Sequence, residues 1–568
     1  MSPSRCRPGI LRGSLVGLLI LAGFLMASGA GSLRAGLLTL PQFEAEPDQV
    51  AHLQRSLTLL GSSSREHPHR MRILVYGQSI SLQSWWTNVA RFLRETYPHA
   101  DLAIENHAIS GMQADYLSRT ALADVIPFQP DLILFHAYGD EAGMDRFLST
   151  VRSNTSCEIL LQGDHIYDTN WVHEETDPSK VPSNDFWPYR NYVWLPRLAQ
   201  KYGACLLPTR TLWRRYLMTN GLPEGALVDG VHLNDDGNLL LTELVKKYLA
   251  PREFLPAMDP YQCPKVSTLE LGPSFGWESG VLEAAFTGNQ ITAIHNHASA
   301  APIRVEIDGK DPASLTELHG MTRVSPTHFY FWPAILKVGH LVPLLEEEWT
   351  LRLTEMSLLG DRYSFEVSGS ETGPDGTGNN LTRFVSNSGR VVIEPRDWML
   401  GLAVYLAGER PRPAYRVRWQ AVRHFQSELN PAFSSDPFRE IPEVVASGLS
   451  DGPHRIRLIA SDGVGGGIRA LRTYSPSGKA ALSPRPSMTL SRIGITNEIR
   501  LPAGRENAEL EFSPTLGPGS QWNPVPNSEG NPSGTPVRRH APPGDSGYYR
   551  ISPLLSRTPR PRTATPPE

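Results

Sequence analysis

Two hydrophobic patterns divide the chain. Between residues 70 and 250, short apolar runs of the kind that form buried strands alternate with stretches whose apolar residues recur at helical spacing. The strand-like runs are 73–76, 102–104, 132–135, 159–161 and 204–207. The clearest helical stretches cover 82–93 and 238–249. Because strands that alternate with helices favour a parallel sheet covered on both faces, we predict an α/β domain over 70–250.

The second half is rich in short β-type runs. From about residue 268 the helical periodicity fades, and turn clusters such as 308–310 and 369–380 separate runs of strand formers. These runs are 300–307, 349–353, 363–367, 390–393, 415–419 and 454–459. They predict a β-sandwich over 265–475, which by analogy resembles a carbohydrate-binding module.

The last hundred residues have the composition of a linker and tail. Residues 476–568 open with Ser/Pro-rich sequence, and only 490–512 has a pattern that favours paired strands. From Pro514 onward there are 13 prolines in 55 residues, which is too many for a packed core. We therefore predict a linker and a mostly disordered, Pro-rich tail.

The first thirty residues have the order of an export signal. Basic Arg5, Arg7 and Arg12 precede an apolar run over 15–26, and small residues follow at 27–30. We expect a signal peptide over 1–30, or an N-terminal membrane anchor if the segment is not cleaved. Either way, the mature protein is predicted to work outside the cytoplasm, secreted or periplasmic.

Charge and cysteine content narrow the function classes. With 54 Lys+Arg against 58 Asp+Glu, the formal net charge is −4, so a nucleic-acid partner is not expected. Outside the leader the cysteines are Cys157, Cys205 and Cys263. Two of them bridge in an oxidising compartment, or all three are small buried hydrophobes; the sequence leaves both open, and it predicts no oligomeric state.

Polar and glycine residues gather where the predicted strands end. Gly77-Gln78-Ser79 follows the first strand, 106–111 the second and 136–140 the third, while Asp229 and His232 precede the last helix. In parallel sheets the chemistry lies at the carboxyl ends of the strands. Ser79 near a helix N-terminus and an Asp three residues before a His are the parts that an activated serine needs.

Each of these signals has an ordinary structural explanation when taken alone. A serine after a glycine is usually a turn residue, and Asp-x-x-His is more often a helix cap beside a surface histidine. Their order along successive strand ends is much more specific. Together they resemble the SGNH/GDSL hydrolase family over about residues 70–250, through 76–79, 106–111, 137–140 and 229–232.

The resemblance implies a flavodoxin-like three-layer fold and a role for each matched residue. Ser79 matches the nucleophile, His232 the general base and Asp229 the residue that orients it. The backbone N–H groups of Ser79 and Gly111 match two donors of the oxyanion hole. The third donor in the family is an Asn side chain, and here that position is Gly139, which makes this chain a divergent member. Gln78 is a second departure, because the family usually has Asp there.

Several side chains near the predicted strand ends are candidates to replace the Asn donor of the oxyanion hole. His136, Asp140 and His165 are each near a predicted strand end, although the simpler interpretation is a satisfied polar residue in a loop. The loop around His173, Glu174 and Glu175 has no metal-ligand spacing, so no metal is predicted. The implied chemistry requires no cofactor.

An aromatic insertion completes the list of candidates. It consists of Trp171, Phe186, Trp187, Tyr189, Tyr192 and Trp194. These side chains either stack on sugar rings at the rim of the site or form a small core of their own.

Taken together, these features predict a secreted serine esterase that removes acyl groups, acetyl foremost, from a polysaccharide or glycoside. The alternatives are an O-acyltransferase of the same fold and a non-catalytic glycan-binding or cell-surface protein.

Overall fold

The structure of the protein is a computed structural model. It describes residues 40, 43, 45–167, 171–252, 258–325, 332–406 and 411–484, together with six strands between 489 and 551. The chain divides into two units, one ending at Ser483 and one beginning at Pro484. The leader predicted for 1–30 lies outside the described residues. Within the described part, no helix has the length and apolar character needed to cross a membrane.

A five-stranded parallel sheet forms the centre of the first half. Its strands are β1 Arg70–Gly77, β2 Asp101–Asn106, β3 Leu132–His136, β4 Glu158–Gln162 and β5 Cys205–Leu207, in spatial order β2-β1-β3-β4-β5. All five predicted strands are present, with bounds that differ by a few residues. This strand order is that of a flavodoxin-like doubly wound sheet, so the predicted α/β fold class is confirmed.

Helices cover both faces of this sheet. They are α1 Gln54–Gly61, α2 Trp85–Thr96, α3 Ala114–Asp124, α4 Glu141–Asn154, α5 Leu195–Tyr202, α6 Thr209–Asn220 and α7 Asp235–Leu249. Because successive strand residues point to opposite faces, Leu74 and Tyr76 pack with α3 and α4, whereas Ile73 and Val75 pack with α2 and α7. Between α6 and α7 lies a small hairpin of β6 Val228–Asp229 and β7 His232–Leu233.

Two antiparallel sheets follow. Their strands, and those of a small extra pair, are β8 Gln262–Cys263, β9 Val266–Glu270, β10 Val281–His295, β11 Ile303–Ile307, β12 His319–Met321, β13 Glu348–Met356, β14 Tyr363–Gly369, β15 Gly373–Asn379, β16 Phe384–Val385, β17 Val392–Ile393, β18 Arg416–Arg423, β19 Glu428–Leu429, β20 Pro442–Ala460, β21 Ile468–Tyr474 and β22 Ala481–Pro484. One sheet centres on β10 and β20 and has its own core. The other, β12-β18-β13-β14-β15, shares a continuous core with α3 and α4. The short helix α8 Leu400–Leu406 joins that core through Leu400 and Ala403. The predicted change to a β-rich second half is confirmed.

Two local predictions in this half differ from the structure. The 15-residue strand β10 was not predicted, because its apolar positions are interrupted by Gly288-Asn289-Gln290, where the pairing with β20 shifts register. The Gly-rich stretch predicted as a turn contains edge strand β15. A Cβ added at Gly378 would lie 2.6 Å from the Phe384 ring, so glycine here makes room for packed aromatic rings rather than for a turn.

The second unit contains two three-stranded antiparallel sheets. The strands are β23 Thr489–Ile493, β24 Thr496–Arg500, β25 Leu510–Ser513, β26 Asn523–Pro524, β27 Val537–His540 and β28 Tyr548–Ile551, in the orders β23-β24-β27 and β26-β25-β28. The pairing predicted within 490–512 is present as β23 with β24. Strands β26, β27 and β28 fall within the segment predicted to be disordered. Both β27 and β28 are proline-free and contain strand formers.

The described cysteines are all free thiols. Cys157 and Cys205 are buried, and Cys263 is partly exposed. Of the two alternatives that the sequence left open, the disulfide is absent among the residues described, and two of the three cysteines act as small core residues.

Candidate active site

Ser79 opens a tight turn at the end of β1. A 3-10 turn spans Ser79–Leu82 directly after Gly77 and Gln78. Gly77 has φ +140°, and a Cβ there would lie 1.9 Å from the carbonyl oxygen of His136, so only glycine fits. The turn leaves Ser79 half-buried, whereas Ser81 is fully buried with its Oγ near the carbonyl oxygens of Tyr76 and His136. Ser79 is therefore the accessible hydroxyl of this turn.

His232 and Asp229 face each other across the β6–β7 hairpin. They are register partners, and Gly230, with φ +64°, forms the turn between them. His232 is half-buried and Asp229 is exposed. Burial lowers the pKa of His232, while the negative charge of Asp229 acts in the opposite direction and raises it. The imidazole of His232 is thus neutral at neutral pH, with the carboxylate of Asp229 near enough to act on its pKa.

The Gln83 side chain joins the serine turn to the histidine strand. Gln83 Nε2 donates to the carbonyl oxygen of Leu233 at 2.8 Å, and Gln83 Oε1 accepts from the Leu233 N–H at 3.0 Å. Gln83 directly follows the turn that begins at Ser79, and Leu233 directly follows His232. Two hydrogen bonds therefore hold together segments that lie 150 residues apart in the chain.

His165 fixes the other neighbour of His232. Its Nε2 donates to the carbonyl oxygen of Val231 at 3.0 Å. Burial, with a further contribution from His136, lowers the pKa of His165 to about 3, so this imidazole is neutral at any working pH. The backbone is thus held on both sides of His232 by side chains from outside the hairpin.

The loop after β2 is tied to the serine turn as well. Asn106 Nδ2 donates to the carbonyl oxygen of Ser81 at 2.7 Å, and the Ile109 N–H donates to the carbonyl oxygen of Gly77 at 2.9 Å. Gly111, with φ +75°, completes this loop. These bonds bring the Gly111 turn beside the Ser79 turn.

The loop after β3 is the third to reach this edge. Gly139 has φ +130°, and a Cβ there would lie 3.2 Å from the Ala114 nitrogen. Arg190 donates to the carbonyl oxygen of Gly139 at 2.9 Å and to that of Ala137 at 2.5 Å. Because both carbonyls are held by one guanidinium, the backbone of this loop is fixed in orientation.

Three backbone donors remain at these turns. Among the hydrogen bonds of the described residues, none uses the N–H of Ser79, Gly111 or Gly139. Backbone N–H groups without a protein partner need water or a ligand oxygen. These are the three positions that the sequence predicts for the oxyanion hole.

The three side chains considered as replacements for the missing Asn have other partners. Asp140 caps α4 by accepting from the Gly143 N–H at 2.7 Å, and His165 bonds Val231 as described. His136 Nε2 lies 3.2 Å from Asp164 Oδ1. Each of these side chains therefore already has a partner within the protein. This agrees with the simpler of the two interpretations, a satisfied polar residue in a loop.

Asp164 is the centre of a buried ionic network behind the site. It accepts from Arg190 Nε at 2.6 Å and from Asn191 Nδ2 at 2.8 Å, in addition to its contact with His136. Burial alone would raise the pKa of Asp164, but Arg190 and His136 hold it well below its usual range. The network is charged and fully buried, and it supports both the Gly139 loop and the end of β4.

The aromatic insertion has a buried part and an exposed part. Trp171 and Trp194 are buried, and Tyr192 donates to Glu174, which Arg210 also holds. Phe186, in contrast, is 47% exposed and packs edge-to-face on Trp187. Trp187 lies 5.6 Å from the ring of Tyr138, the residue before Gly139. The insertion therefore has a buried core and an exposed aromatic edge near the Gly139 loop.

One contact to the site comes from the β-rich half and was not predicted. Trp332 Nε1 donates to the carbonyl oxygen of Ser110, next to Gly111, at 2.5 Å, and its ring lies 6.0 Å from that of Tyr116. No local sequence signal marks this residue, because the contact spans 222 positions of the chain.

Among the described residues, no group of three His, Cys, Asp or Glu side chains is arranged to hold a metal ion.

Comparison with known proteins gave matches among solved structures only. No family model and no curated protein matches the chain. A protein described as a GDSL-like lipase from Parabacteroides merdae is 16% identical over 33% of this chain and 98% of its own, with a TM-score of 0.27. Acetylxylan esterase Axe2 from Geobacillus stearothermophilus is 19% identical over 33% of this chain and 97% of its own, with a TM-score of 0.27. A two-domain esterase active on acetylated mannans is 12% identical over 75% of this chain and 96% of its own, with a TM-score of 0.28.

Proposed function

We propose that the protein is a serine esterase in which Ser79, His232 and Asp229 form the catalytic triad. The observation that carries this proposal is the pair of hydrogen bonds from Gln83 to Leu233, because they join the Ser79 turn to the His232 strand. The cross-strand pairing of Asp229 with His232 supports the orienting role of the carboxylate.

The mechanism follows from the accessible hydroxyl and the neutral imidazole. His232 removes the Ser79 proton while Oγ attacks the ester carbonyl carbon, and the N–H groups of Ser79, Gly111 and Gly139 stabilise the oxyanion. The tetrahedral intermediate collapses, and the alcohol leaves with the proton from His232. Water then attacks the acyl-enzyme with His232 again as base, which releases the acid and restores Ser79.

Gln83 and His165 act as positioning residues in this proposal. The base lies on a strand of only two residues, which has little stability of its own. Gln83 and His165 bond the residues on either side of His232 and so fix its distance and angle to Ser79. Reacting groups held in a near-attack geometry avoid most of the entropic cost of meeting.

Gly139 replaces an Asn side chain by a backbone donor. Loss of one oxyanion donor generally costs about 3–4 kcal/mol of transition-state stabilisation. The Gly139 N–H, whose loop Arg190 holds in place, is the group that we assign to this role. The donor is then set by the backbone and does not depend on a side-chain rotamer.

The substrate class follows from the exposed aromatic edge. Phe186 and Trp187 offer apolar ring faces beside Tyr138, and flat aromatic surfaces suit the apolar faces of sugar rings. We therefore propose an acylated polysaccharide or glycoside as substrate, with acetyl as the acyl group. A protein acting on such polymers is consistent with the export predicted from 1–30, and N-terminal sequencing of the mature protein tests cleavage of that leader.

The test is hydrolysis of p-nitrophenyl acetate by the purified protein and its Ser79→Ala variant. The variant is expected to lose on the order of 10⁶-fold in kcat, down to the background rate. Ser81→Ala is the matched control, since that hydroxyl is buried in the same turn, and it is expected to retain activity. Equal rates for wild type and Ser79→Ala would reject the nucleophile.

Release of acetate from acetylated xylan or mannan tests the substrate class. Phe186→Ala combined with Trp187→Ala is expected to raise KM for the polymer and leave the rate on p-nitrophenyl acetate unchanged. Addition of an acceptor sugar distinguishes the transferase, which would form an acylated product in place of free acetate. Retention on the polymer without any turnover would favour the non-catalytic alternative.

A further inference from the structure

A polar cavity lies at the amino ends of the parallel strands, away from Ser79. It encloses roughly 200 Å³, and water occupies about 30 Å³ in the liquid, so several water-sized groups fit. One wall is formed where β1, β3 and β4 begin, and the other by β10, β20 and β21 of the antiparallel sheet. Four arginines line it: Arg55, Arg70, Arg72 and Arg472.

Two carboxylates in the lining are already neutralised. Asp131 bonds Arg55 Nη1 through Oδ1 at 2.8 Å and the Arg72 backbone N–H through Oδ2 at 2.8 Å. Glu440 accepts from Arg472 through both of its oxygens, and Arg469 shares one of them. The acidic side chains of the cavity are therefore occupied by Arg55 and Arg472, which leaves the charges of Arg70 and Arg72.

Arg72 is the unusual member of the set. Its guanidinium lies 4.5 Å from the centre of the Phe128 ring, and its Nε is buried without a hydrogen-bond partner among the described residues. Neither Arg70 nor Arg72 forms an ion pair within the described part of the chain. The nearest other carboxylate, Glu105, bonds His107 at 2.9 Å.

The environment of Arg72 disfavours its charge. Burial lowers the pKa of Arg72, and the neighbouring Arg70, on the same face of β1, lowers it further, while Asp131 and Glu105 act against this. A buried donor without an acceptor costs about 1–3 kcal/mol, and more when the donor is charged. An anion between Arg70 and Arg72 would supply the acceptor and the missing negative charge.

We propose that this cavity is a binding site for a small oxyanion, namely a carboxylate, phosphate or sulfate group held by Arg70 and Arg72. The guanidinium group suits such ligands, because its planar N–H groups match two oxygens at once. The site lies at the strand ends away from Ser79 and bridges the parallel and antiparallel sheets. Its ligand therefore stabilises the contact between the two halves of the first unit and takes no part in ester chemistry.

Thermal unfolding of the full chain tests the proposal at constant ionic strength. Sodium sulfate, sodium phosphate and sodium glucuronate are each titrated against sodium chloride. We expect at least one oxyanion to raise the unfolding midpoint in a saturable manner beyond chloride. Saturation by sulfate or phosphate alone identifies an inorganic-type ligand, and saturation by glucuronate identifies a sugar acid.

Substitutions of the lining arginines test whether the oxyanion that raises the unfolding midpoint binds in this cavity. Arg72→Met is expected to weaken the apparent affinity by about tenfold or more, and Arg70→Met, at the more open position, reports the same site if Arg72→Met fails to fold. Arg146→Met, which removes an exposed arginine on α4, is the control and should bind as wild type. Indistinguishable responses to all three oxyanions and chloride, or saturation that survives in both cavity variants, would overturn the proposal. Because no step uses ester hydrolysis, this outcome is independent of the proposed function.

Discussion

The two ends of the five parallel strands differ in how their polar groups are used. At the carboxyl ends, amide and imidazole side chains bond to backbone groups and leave the Ser79, Gly111 and Gly139 N–H groups open. At the amino ends, ion pairs such as Arg55 with Asp131 occupy the acidic side chains and the antiparallel sheet covers them, whereas Arg72 Nε has no partner among the described residues. One end leaves backbone N–H donors open among the described residues, and the other pairs its carboxylates with arginines inside a covered cavity.

This difference separates effects on rate from effects on stability. Changes of side chains at the carboxyl ends should mainly reduce catalysis while the fold persists, since these residues lie on loops held by a rigid sheet. The backbone at Gly139 is the exception, because a substitution there should also reduce stability. Changes at the amino ends should reduce stability and leave the chemistry intact.

Asp229→Asn is expected to lower the rate strongly, although less than the loss of the Ser79 hydroxyl. The amide keeps the size of the side chain but removes the charge to which we assign the orientation of His232, so kcat should fall about 10²–10⁴-fold, equivalent to roughly 3–5 kcal/mol. Steady-state kinetics with p-nitrophenyl acetate measures it. Because Asp229 is exposed, Asp236→Asn at the start of α7 is a suitable control, and a fall of the same size there would count against the assignment.

Arg55→Met tests the opposite end. Arg55 is buried against Asp131, and removal of one partner from a buried ion pair typically costs about 3–5 kcal/mol. Denaturant unfolding is the measurement, with the exposed pair of Arg146 and Asp115 as control, where Arg146→Met should cost about 1 kcal/mol or less. A folded Arg55→Met protein should keep the kcat of wild type. A large loss of kcat would contradict the claim that changes at the amino ends affect stability and not rate.

Gln83→Leu should lower kcat by about 10–100-fold with little change in KM, because small misplacements of His232 suffice. Gln83→Glu still accepts from the Leu233 N–H but turns a carboxylate oxygen toward the Leu233 carbonyl oxygen, so it should lose activity as well. Gln200→Leu, exposed on α5, is the control for the substitution itself. A purely structural role for Gln83 would lower stability without this split between kcat and KM.

Gly139→Ala should reduce the free energy of unfolding by about 1–3 kcal/mol, because φ +130° is unfavourable for alanine and Ala114 lies close. Gly225→Ala, where an added Cβ meets nothing within 4 Å, serves as the comparison. Unfolding curves that coincide for the two variants would contradict the rigid Gly139 loop.

The pH dependence of kcat/KM tests whether His232 is the group that must be deprotonated for activity. Since burial lowers the pKa of His232 below 6.5, the acid limb of kcat/KM should have its midpoint below pH 6.5. Asp229 raises that pKa, so Asp229→Asn should move the midpoint to still lower pH. A midpoint above 6.5, or a shift upward in the variant, would show that another group controls the limb.

The sequence predicts the carboxyl ends of the parallel strands better than their amino ends. The five strands and the glycine turns have local signals, because an apolar run and a glycine next to Ser79 are visible within a few residues. Gln83, Arg190 and Trp332 carry no such signal, since each bonds through one side chain to a residue 51 to 222 positions away. The amino-end cavity was not predicted either, because its arginines come from α1, β1 and β21 and resemble ordinary surface charges in the sequence.

Covalent trapping of the nucleophile tests the central claim most directly. Incubation with a fluorophosphonate, followed by peptide mapping by mass spectrometry, should place a single adduct on Ser79 in the wild-type protein. The rate of labelling should fall sharply in His232→Ala, where the protein can no longer accept the Ser79 proton. An adduct on a different serine, or labelling of Ser79 at the same rate in His232→Ala, would contradict the account.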